Sequence, residues 1–338
     1  MKRITLLLLL VFQVAYLFAQ EDAKVVRYPF KFTYTGNPIV NHMYTADPTA
    51  RVWNDTLYVY CSTDRYPSRG CDLMDNYHVF STPDLVTWTD HGEILSSKDV
   101  PWGRKAGGFM WAPDCVYKDG TYYYYFPHPT GVKWMGSWKF GIATSSEPAR
   151  DFTVQGYIPD APAVIDPNLF IDDDGQVYFY AGGGAAGHPC YGAKMNDNMM
   201  EFDGEVSLMQ GLTNFHEGPF VFKRNDVYYM IYPDHHSKSD EEVNTGNRMH
   251  YATSNQPLGP WDYKGIILDP TGCGTSHGSV VKFKGQWYLF YHNSALSGIG
   301  SLRSICFDKL KFNRKGEIEK VVQTGDFNKA SYMPAVSK

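Results

Sequence analysis

The sequence predicts an all-β protein folded as a five-bladed β-propeller, and three observations support that fold class. An apolar run, a polar turn and an aromatic run follow one another five times along the 338 residues. The copies begin at anchors that lie 66, 53, 51 and 60 residues apart: Asp47, Pro113, Asp166, Glu217 and His277. No stretch sustains the periodicity of an amphipathic helix. A repeat of this length without helices is typical of propellers.

Each repeat predicts two β-hairpins. The first hairpin turns on residues that accept positive φ: Asn54-Asp55, Asp119-Gly120, Asp174-Gly175, Asn225-Asp226 and Lys284-Gly285. The second hairpin carries one packing aromatic in its loop: Trp88, Phe152, Phe202, Trp261 and Phe312. Two hairpins make a four-stranded sheet, and five such sheets around one axis make the propeller. A many-stranded sandwich would not explain why both halves of the unit repeat in the same order.

The N-terminus predicts a signal peptide over residues 1–19, followed by one propeller domain over residues 20–338. Lys2 and Arg3 precede an apolar run that ends at Phe18, and Ala19 lies at a plausible cleavage point. A membrane anchor is the alternative, but the run is interrupted by Gln13 and is shorter than the ~20 residues of a membrane span. The sequence therefore predicts a periplasmic or secreted protein. Residues 20–46 are expected to form a strand against the last blade or a loop leading into the first.

Composition and cysteines narrow the class further. Aromatic residues make up 16% of the chain, with 25 Tyr and 8 Trp, which suits short strands and surfaces that stack on sugars. The formal net charge of −5 gives no reason to expect nucleic acid or an anionic membrane as partner. Six cysteines show no CxxC pairing, so a zinc site is not expected. Free thiols are favoured over a bridge between Cys61 and Cys71, the only close pair.

The repeat itself predicts where the polar anchors meet. In a propeller the first strand of every blade lines the central channel, so Asp47, Asp166, Glu217 and His277 should ring one mouth of it. Carboxylates brought together and buried have raised pKa values. An inverting glycosidase uses such a group, because it needs a carboxylate base and a protonated carboxylic acid ~6.5–9.5 Å apart. A third carboxylate can keep the acid protonated.

These motifs resemble glycoside hydrolase family 43, a family of five-bladed propellers that remove pentoses from plant polysaccharides. The resemblance extends from Asn37 to about Val322 and includes five blocks in order: Ala46-Asp-Pro, Trp111-Ala-Pro, Ile165-Asp-Pro-Asn-Leu-Phe, Glu217-Gly-Pro and Arg303-Ser-Ile-Cys. It implies that Asp47 is the general base and Glu217 the general acid. It implies that Asp166 orients the acid and tunes its pKa.

The same resemblance implies further site residues. Arg303 matches an arginine that hydrogen-bonds the sugar, and Trp111 matches the aromatic wall of the sugar pocket. Other aromatic residues in loops early in the chain are candidates for that face or for further subsites: Trp102, Phe109, Trp134 and Trp138. His277 matches a channel histidine beside a bound calcium or other ion, directly or through water. The residues before it read Gly274-Thr-Ser, which departs from the family pattern and concerns the ion rather than the carboxylates.

The sequence therefore predicts an inverting exo-glycosidase acting on pentose-containing oligosaccharides or polysaccharides, an α-L-arabinofuranosidase, a β-xylosidase or both. No cofactor is expected for the chemistry, although a structural ion in the channel is allowed for. Alternatives on the same fold are an endo-arabinanase and a non-catalytic carbohydrate-binding propeller. A phosphorylase is a further alternative, but Arg303 is the only basic residue that the motifs place near the anchors. A degenerate binding protein would be expected to lose an anchor carboxylate, and all three are present.

Overall fold

The structure is a computed structural model that describes residues 27–66, 71–131, 136–234 and 247–325. Five antiparallel sheets follow one another along the chain, as the repeat predicts. The described segments contain only two short 3-10 helices, Cys71–Leu73 and Ser97–Asp99. In these segments no helix is long and apolar enough to cross a bilayer. The predicted signal peptide lies outside the described residues.

The blades are consecutive in sequence, and the strand that carries or directly follows each anchor lies on the inside. Blade 1 contains β1 (Phe30–Thr33), β2 (Tyr44–Trp53), β3 (Thr56–Asp64), β4 (Asn76–Thr82) and β5 (Thr87–Ser96). Blade 2 contains β6 (Asp114–Lys118), β7 (Thr121–Pro129), β8 (Trp138–Ser145) and β9 (Thr153–Tyr157). Blade 3 contains β10 (Asn168–Ile171), β11 (Val177–Gly182), β12 (Cys190–Lys194) and β13 (Ser207–Leu208). Blade 4 contains β14 (Phe220–Arg224), β15 (Val227–Pro233), β16 (Met249–Ser254) and β17 (Asp262–Leu268). Blade 5 contains β18 (Gly278–Phe283), β19 (Gln286–Asn293) and β20 (Ser304–Leu310).

The predicted hairpin turns form where the sequence places them. Asn54 and Asp55 take φ values of 46° and 59°, and Asn225 and Asp226 take 49° and 60°. Both pairs are two-residue turns, because Trp53 pairs with Thr56 and Arg224 with Val227. Asn and Asp tolerate this left-handed backbone better than most residues, which is why such pairs recur in tight hairpins.

Between blades the core is dominated by aromatic rings. Tyr60 and Tyr77 of blade 1 lie 5.7 and 5.2 Å from Tyr124 of blade 2, and all three are fully buried. Tilted and edge-on ring pairs of this kind add to the free energy gained by burying their area. The high tyrosine content is therefore used largely in packing blade against blade.

The segment before β2 closes the ring between the first and last blades. Its Ile39 N–H donates to the Ile305 carbonyl (2.8 Å), and Asn37 bonds both backbone groups of Phe307. Upstream, β1 instead pairs with β5 of blade 1. The expected entry loop therefore forms and bonds the last blade, whereas the strand in this range, β1, belongs to blade 1 rather than packing against blade 5. Blade 5 differs from the predicted four strands, because in the described residues beyond β20 only an isolated bridge forms, between Phe312 and Ile318.

The cysteines contribute apolar bulk. Cys61, Cys115, Cys190, Cys273 and Cys306 are free and buried. Because Cys61 is free, the bridge to Cys71 considered above does not form. Burial raises the pKa of the Cys61 thiol, so it is protonated at neutral pH.

Candidate active site

A cavity of about 600 Å³ opens at one mouth of the central channel. The structure brings six of the predicted site residues into its lining: Asp47, Trp111, Asp166, Glu217, His277 and Arg303. They come from all five blades, so the convergence follows from the propeller geometry rather than from nearness in sequence.

Asp47 and Asp166 reach the cavity through the same backbone turn. Both precede a proline and both have positive φ, 53° and 59°. At Asp47 the pairing of β2 with β3 skips from Ala46–Ser62 to Thr49–Tyr60, which marks a bulge. A bulge re-aims a side chain out of the regular alternation of a strand. Residues other than glycine adopt positive φ at a cost, which is typical of functional positions.

Glu217 differs from these two by one residue. In blade 4 the residue that precedes the proline with positive φ is Gly218 (φ 56°), so Glu217 lies one position earlier than Asp47 and Asp166 do. The sequence comparison had placed Glu217 at the equivalent position. A Cβ on residue 218 would lie 2.7 Å from Nδ1 of His277, so an aspartate does not fit there. The acid is therefore carried by the preceding residue, whose side chain is one methylene longer.

Asp47 is held as a carboxylate. Burial alone would raise its pKa, but nearby donors outweigh that effect and the pKa is lowered. Arg303 Nη1 donates to its Oδ1 (2.8 Å), and the Ser62 hydroxyl donates to its Oδ2 (2.6 Å). A cation and hydrogen bonds aimed at the charged form both stabilise it. Asp47 is thus ionised across the neutral range.

Arg303 is fixed by a second carboxylate that the motifs did not reveal. Its Nε and Nη2 donate to the two oxygens of Asp64 (3.0 and 2.9 Å) while Nη1 reaches Asp47. Arg303 is 7% exposed, so most of its donors face protein groups rather than open cavity. Asp64 and Ser62 could have been found from the pairing of β2 with β3. That pairing places Asp64 opposite Tyr44 and Ser62 opposite Ala46, the residue before Asp47.

Asp166 and Glu217 behave in the opposite way. Burial and the neighbouring Glu217 and Asp47 carboxylates raise the pKa of Asp166 well above its usual value. Burial, followed by the charge of Asp47, raises the pKa of Glu217 to about 7. Two coupled carboxyls titrate as a pair rather than singly. The pair therefore retains a proton at pH values where Asp47 has lost its own.

Two histidines adjoin the carboxylates and are neutral. The Asp47 N–H donates to Nδ1 of His292 (3.1 Å), which assigns the ring proton to Nε2, where it reaches the Thr275 carbonyl (3.0 Å). Burial, followed by Arg303, lowers the pKa of His292 to about 4. His277 Nδ1 lies 3.8 Å from Asp166, and burial lowers its pKa as well. Arg303 is the largest of the groups that lower the pKa of Asp47, followed by the two histidines and Ser62.

The aromatic candidates separate into one wall residue and its supports. Trp111 lines the cavity and packs on the buried Trp138 at 4.5 Å between ring centroids. Phe109 lies 5.6 Å from Trp111 and is not among the described lining residues, so it supports the wall from behind. Trp102 stacks on Phe126 instead. Trp134, considered with them, lies outside the described residues.

The wall beside Glu217 was not predicted. The Gly184–Ala186 segment lines it together with His188 and His216. The two histidine rings lie 4.2 Å apart, and His216 Nε2 is 3.6 Å from Glu217 Oε2. A Cβ on Gly183, which has a φ of +88°, would meet the Cβ of Glu217 at 2.5 Å. From sequence, the glycine-rich run over residues 181–187 predicts only a loop, because its role in the site depends on this close approach.

Residues 35–318, most of the chain, match the sequence model of the family Glycosyl hydrolases family 43. The chain belongs to glycoside hydrolase family 43. The resemblance inferred from the motifs is confirmed, and the chain is a glycoside hydrolase.

Several family-43 proteins are similar over most of this chain. Xylosidase/arabinosidase 43A of Humicola insolens is 33% identical, over 83% of this chain and 98% of that protein. The β-xylosidase of Xylanibacter ruminicola is 30% identical, over 82% and 97%. A solved structure of a β-xylosidase/α-arabinofuranosidase from a compost metagenome, in complex with xylotriose and calcium-free, has a TM-score of 0.76 at 32% identity. It covers 86% of this chain and 98% of its own.

The residues around His277 do not by themselves form a calcium site. Calcium takes six to eight oxygen ligands. In the described ranges no group of three or more His, Cys, Asp or Glu side chains is placed to hold a metal ion. The carboxyl beside the His277 ring is that of Asp166, at 3.8 Å, which retains a proton or shares one with Glu217.

Proposed function

We propose that this family-43 enzyme removes terminal β-xylosyl or α-L-arabinofuranosyl residues from oligosaccharides, with inversion at the anomeric carbon. One observation carries the proposal. A single cavity holds a carboxylate kept charged, Asp47, and a carboxyl pair that keeps a proton to about pH 7, Asp166 with Glu217. An inverting glycosidase needs that combination of base and acid. The names of the similar enzymes support the two pentoses as substrates.

In the proposed reaction Asp47 removes a proton from a water molecule, whose oxygen attacks the anomeric carbon. The bond from that carbon to the leaving oxygen breaks, and Glu217 gives its proton to that oxygen. In this proposal Asp166 shares a proton with Glu217, tunes when that proton is released and orients the acid. His277 and His292 stay neutral, so they do not offset the negative charge that makes Asp47 a base.

The substrate's two ends are assigned by the same geometry. The sugar that is cleaved off lies against Trp111 near Asp47, where an aromatic face can stack on a pentose ring. The leaving oxygen lies near Glu217, so the rest of the substrate passes the wall of Gly184–Ala186, His188 and His216. Small residues in that wall leave room for a further sugar ring.

Export is proposed separately, from residues 1–19 alone. Mass determination of the N-terminus after expression in a secreting host tests it. A chain that begins after about residue 19 is the expected product, whereas an intact Met1 on a membrane-bound protein would indicate an anchor.

A panel of aryl glycosides tests the function directly. We expect turnover of the β-xyloside, the α-L-arabinofuranoside or both, and little turnover of galactosides. Proton NMR of the first product should show the inverted anomer, and a retained anomer would contradict the roles given to Asp47 and Glu217. Xylotriose should lose one residue at a time. Release of internal fragments from linear arabinan would favour the endo-acting alternative, and sugar binding without turnover of any glycoside would favour a non-catalytic protein.

A further inference from the structure

A belt of buried polar side chains lies directly beneath the cavity. Its members lie two residues after Asp47, Ala112, Asp166 and His277, in four blades: Thr49, Asp114, Asn168 and Ser279. They are 2%, 0%, 2% and 0% exposed. In blade 4 the corresponding residue is apolar, Phe220, two residues after Gly218. Buried polar groups persist only when they are hydrogen-bonded, so the partners of these side chains reveal what they hold in place.

Every belt residue bonds to a neighbouring blade. Ser279 Oγ accepts from the Ala50 N–H (2.9 Å) and donates to the Pro48 carbonyl (2.8 Å), which joins blade 5 to blade 1. Thr49 Oγ1 donates to the Pro113 carbonyl (2.8 Å) and joins blade 1 to blade 2. In the described residues the inner strands of adjacent blades belong to separate sheets, so these side-chain bonds help to fix their positions relative to one another along the channel axis.

The belt continues from blade 2 to blade 4 through two residues. Asp114 Oδ2 accepts from the Leu169 N–H (2.7 Å) and from Asn168 Nδ2 (2.9 Å). Asn168 Oδ1 in turn accepts from the Val221 N–H (2.8 Å). Arg51 stabilises this part of the belt, because its guanidinium donates to Asp114 and lies 5.1 Å from the Phe220 ring centroid.

Asn168 stands at the point where this network meets the acid pair. It follows Asp166 by two residues, and its partner Val221 follows Glu217 by four. A second contact joins the same strands, since the Gly218 N–H stabilises the charged form of Asp166. The position of β14 along the channel axis relative to β10 therefore affects how far Glu217 lies from Asp166.

We propose that Asn168 is a positioning residue for catalysis: its side chain fixes β10 against β14 and thereby sets the distance across which Asp166 and Glu217 share a proton. This inference rests on the proposed function for its kinetic consequence, but its physical content concerns the two carboxyls alone. Loss of the Asn168–Val221 bond lets the strands move apart. The mutual repulsion that raises the pair's pKa then weakens.

Tyr180→Phe provides a matched control. The Tyr180 hydroxyl also joins blades 3 and 4, by donating to the Pro257 carbonyl (2.6 Å), and its ring is fully buried. It is not among the described residues lining the cavity. Tyr180 pairs with Asn168 through its backbone, but its hydroxyl bonds the loop before β17. Removing that hydroxyl therefore costs a hydrogen bond between the same two blades that does not involve β10 or β14.

The first measurement is kcat and KM against pH, with an aryl pentoside, for the wild type, Asn168→Ala and Tyr180→Phe. For Asn168→Ala we expect kcat to fall about tenfold or more with KM changed less than about threefold, since misplaced groups slow the chemical step. The alkaline limb of the kcat profile should move down by about one pH unit. Tyr180→Phe should leave both limbs in place. Equal kcat and equal limbs in the two variants would overturn the proposal.

The second measurement needs no turnover. Infrared difference titration of the substrate-free protein follows the protonated carboxyl band, which should disappear at lower pH in Asn168→Ala than in the wild type. Asn168→Leu, which keeps the branching at Cγ but removes the amide, replaces the alanine variant if that variant does not fold. A wild type inactive on every pentoside contradicts the proposed function, while the infrared shift still tests the positioning role. An unshifted band in a folded variant contradicts that role alone.

Discussion

Asp47 and Asp166 have the same residue type, the same Asp-Pro motif and nearly the same φ, yet their pKa values move in opposite directions. Asp47 faces blade 5 and the first blade's own β3, from which Arg303 and Ser62 donate to it. Asp166 faces another carboxyl, Glu217 of blade 4, and the neutral His277 of blade 5.

The difference shows that the motif delivers a carboxyl to the cavity and the neighbouring blade decides its charge. A cation and a hydroxyl make one half of the cavity a base. Desolvation and a second carboxyl make the other half an acid. The predictions below test that division.

The largest effect is expected from removing the two reacting groups. Asp47→Asn should lower kcat/KM about 10³-fold or more for every substrate, because the base acts whatever the leaving group. Glu217→Gln should lose that much on xylobiose but far less on an aryl glycoside whose leaving group needs no proton. Kinetics on both substrates check this, and an equal loss of Glu217→Gln activity on the two would contradict its role as acid.

A smaller effect is expected from Arg303→Lys. Lysine keeps the charge but cannot bridge Asp47 and Asp64 as the planar guanidinium does. The pKa of Asp47 should rise, so the acidic limb of the kcat/KM profile moves up and activity on the acidic side falls about tenfold. Arg248→Lys is the control, since Arg248 likewise bonds a buried carboxylate, Asp234, but does not line the described cavity. An acidic limb moved equally by both would count against the pairing of Arg303 with Asp47.

Smaller side chains in the aromatic wall of the cavity should change KM more than kcat. Trp111→Phe is expected to raise KM several-fold with a smaller change in kcat, because it reduces the face available to the sugar. Phe109→Leu should have a weaker effect of the same kind, since it acts through Trp111. Steady-state kinetics on the preferred aryl pentoside decide; a larger effect of Phe109→Leu would place Phe109 in direct contact with the sugar.

The smallest effect is on stability. The folded pair has a raised pKa, so it favours folding fully only below the pKa values of the unfolded carboxyls, and that advantage is lost as pH rises towards about 7. Glu217→Gln cannot ionise at this position, so it loses less stability as the pH rises. The Tm of the variant minus that of the wild type should therefore be a few degrees larger at about pH 8 than at about pH 5. A Tm difference that does not change with pH would show that the pair carries no such cost.

Much of the site could be predicted because the repeat places its anchors on inner strands. The offset of Glu217 could not, since it depends on the contact between Gly218 and His277 across blades 4 and 5. Asp64, Ser62 and His292 were missed because each enters the site through a strand other than the first of its blade. Four strands were predicted for blade 5 and three form. An apolar or aromatic run indicates a strand but does not show whether that strand pairs with the next one.

The sequence by itself determined the number of blades, the family and the carboxyl groups that meet at the channel mouth. Those features depend on periodicity and on motifs, which are local. Only the tertiary structure decided which carboxyl is charged and which keeps its proton. That depends on burial and on partners up to 256 residues away, as in the Arg303–Asp47 pair, and no local pattern records such a distance.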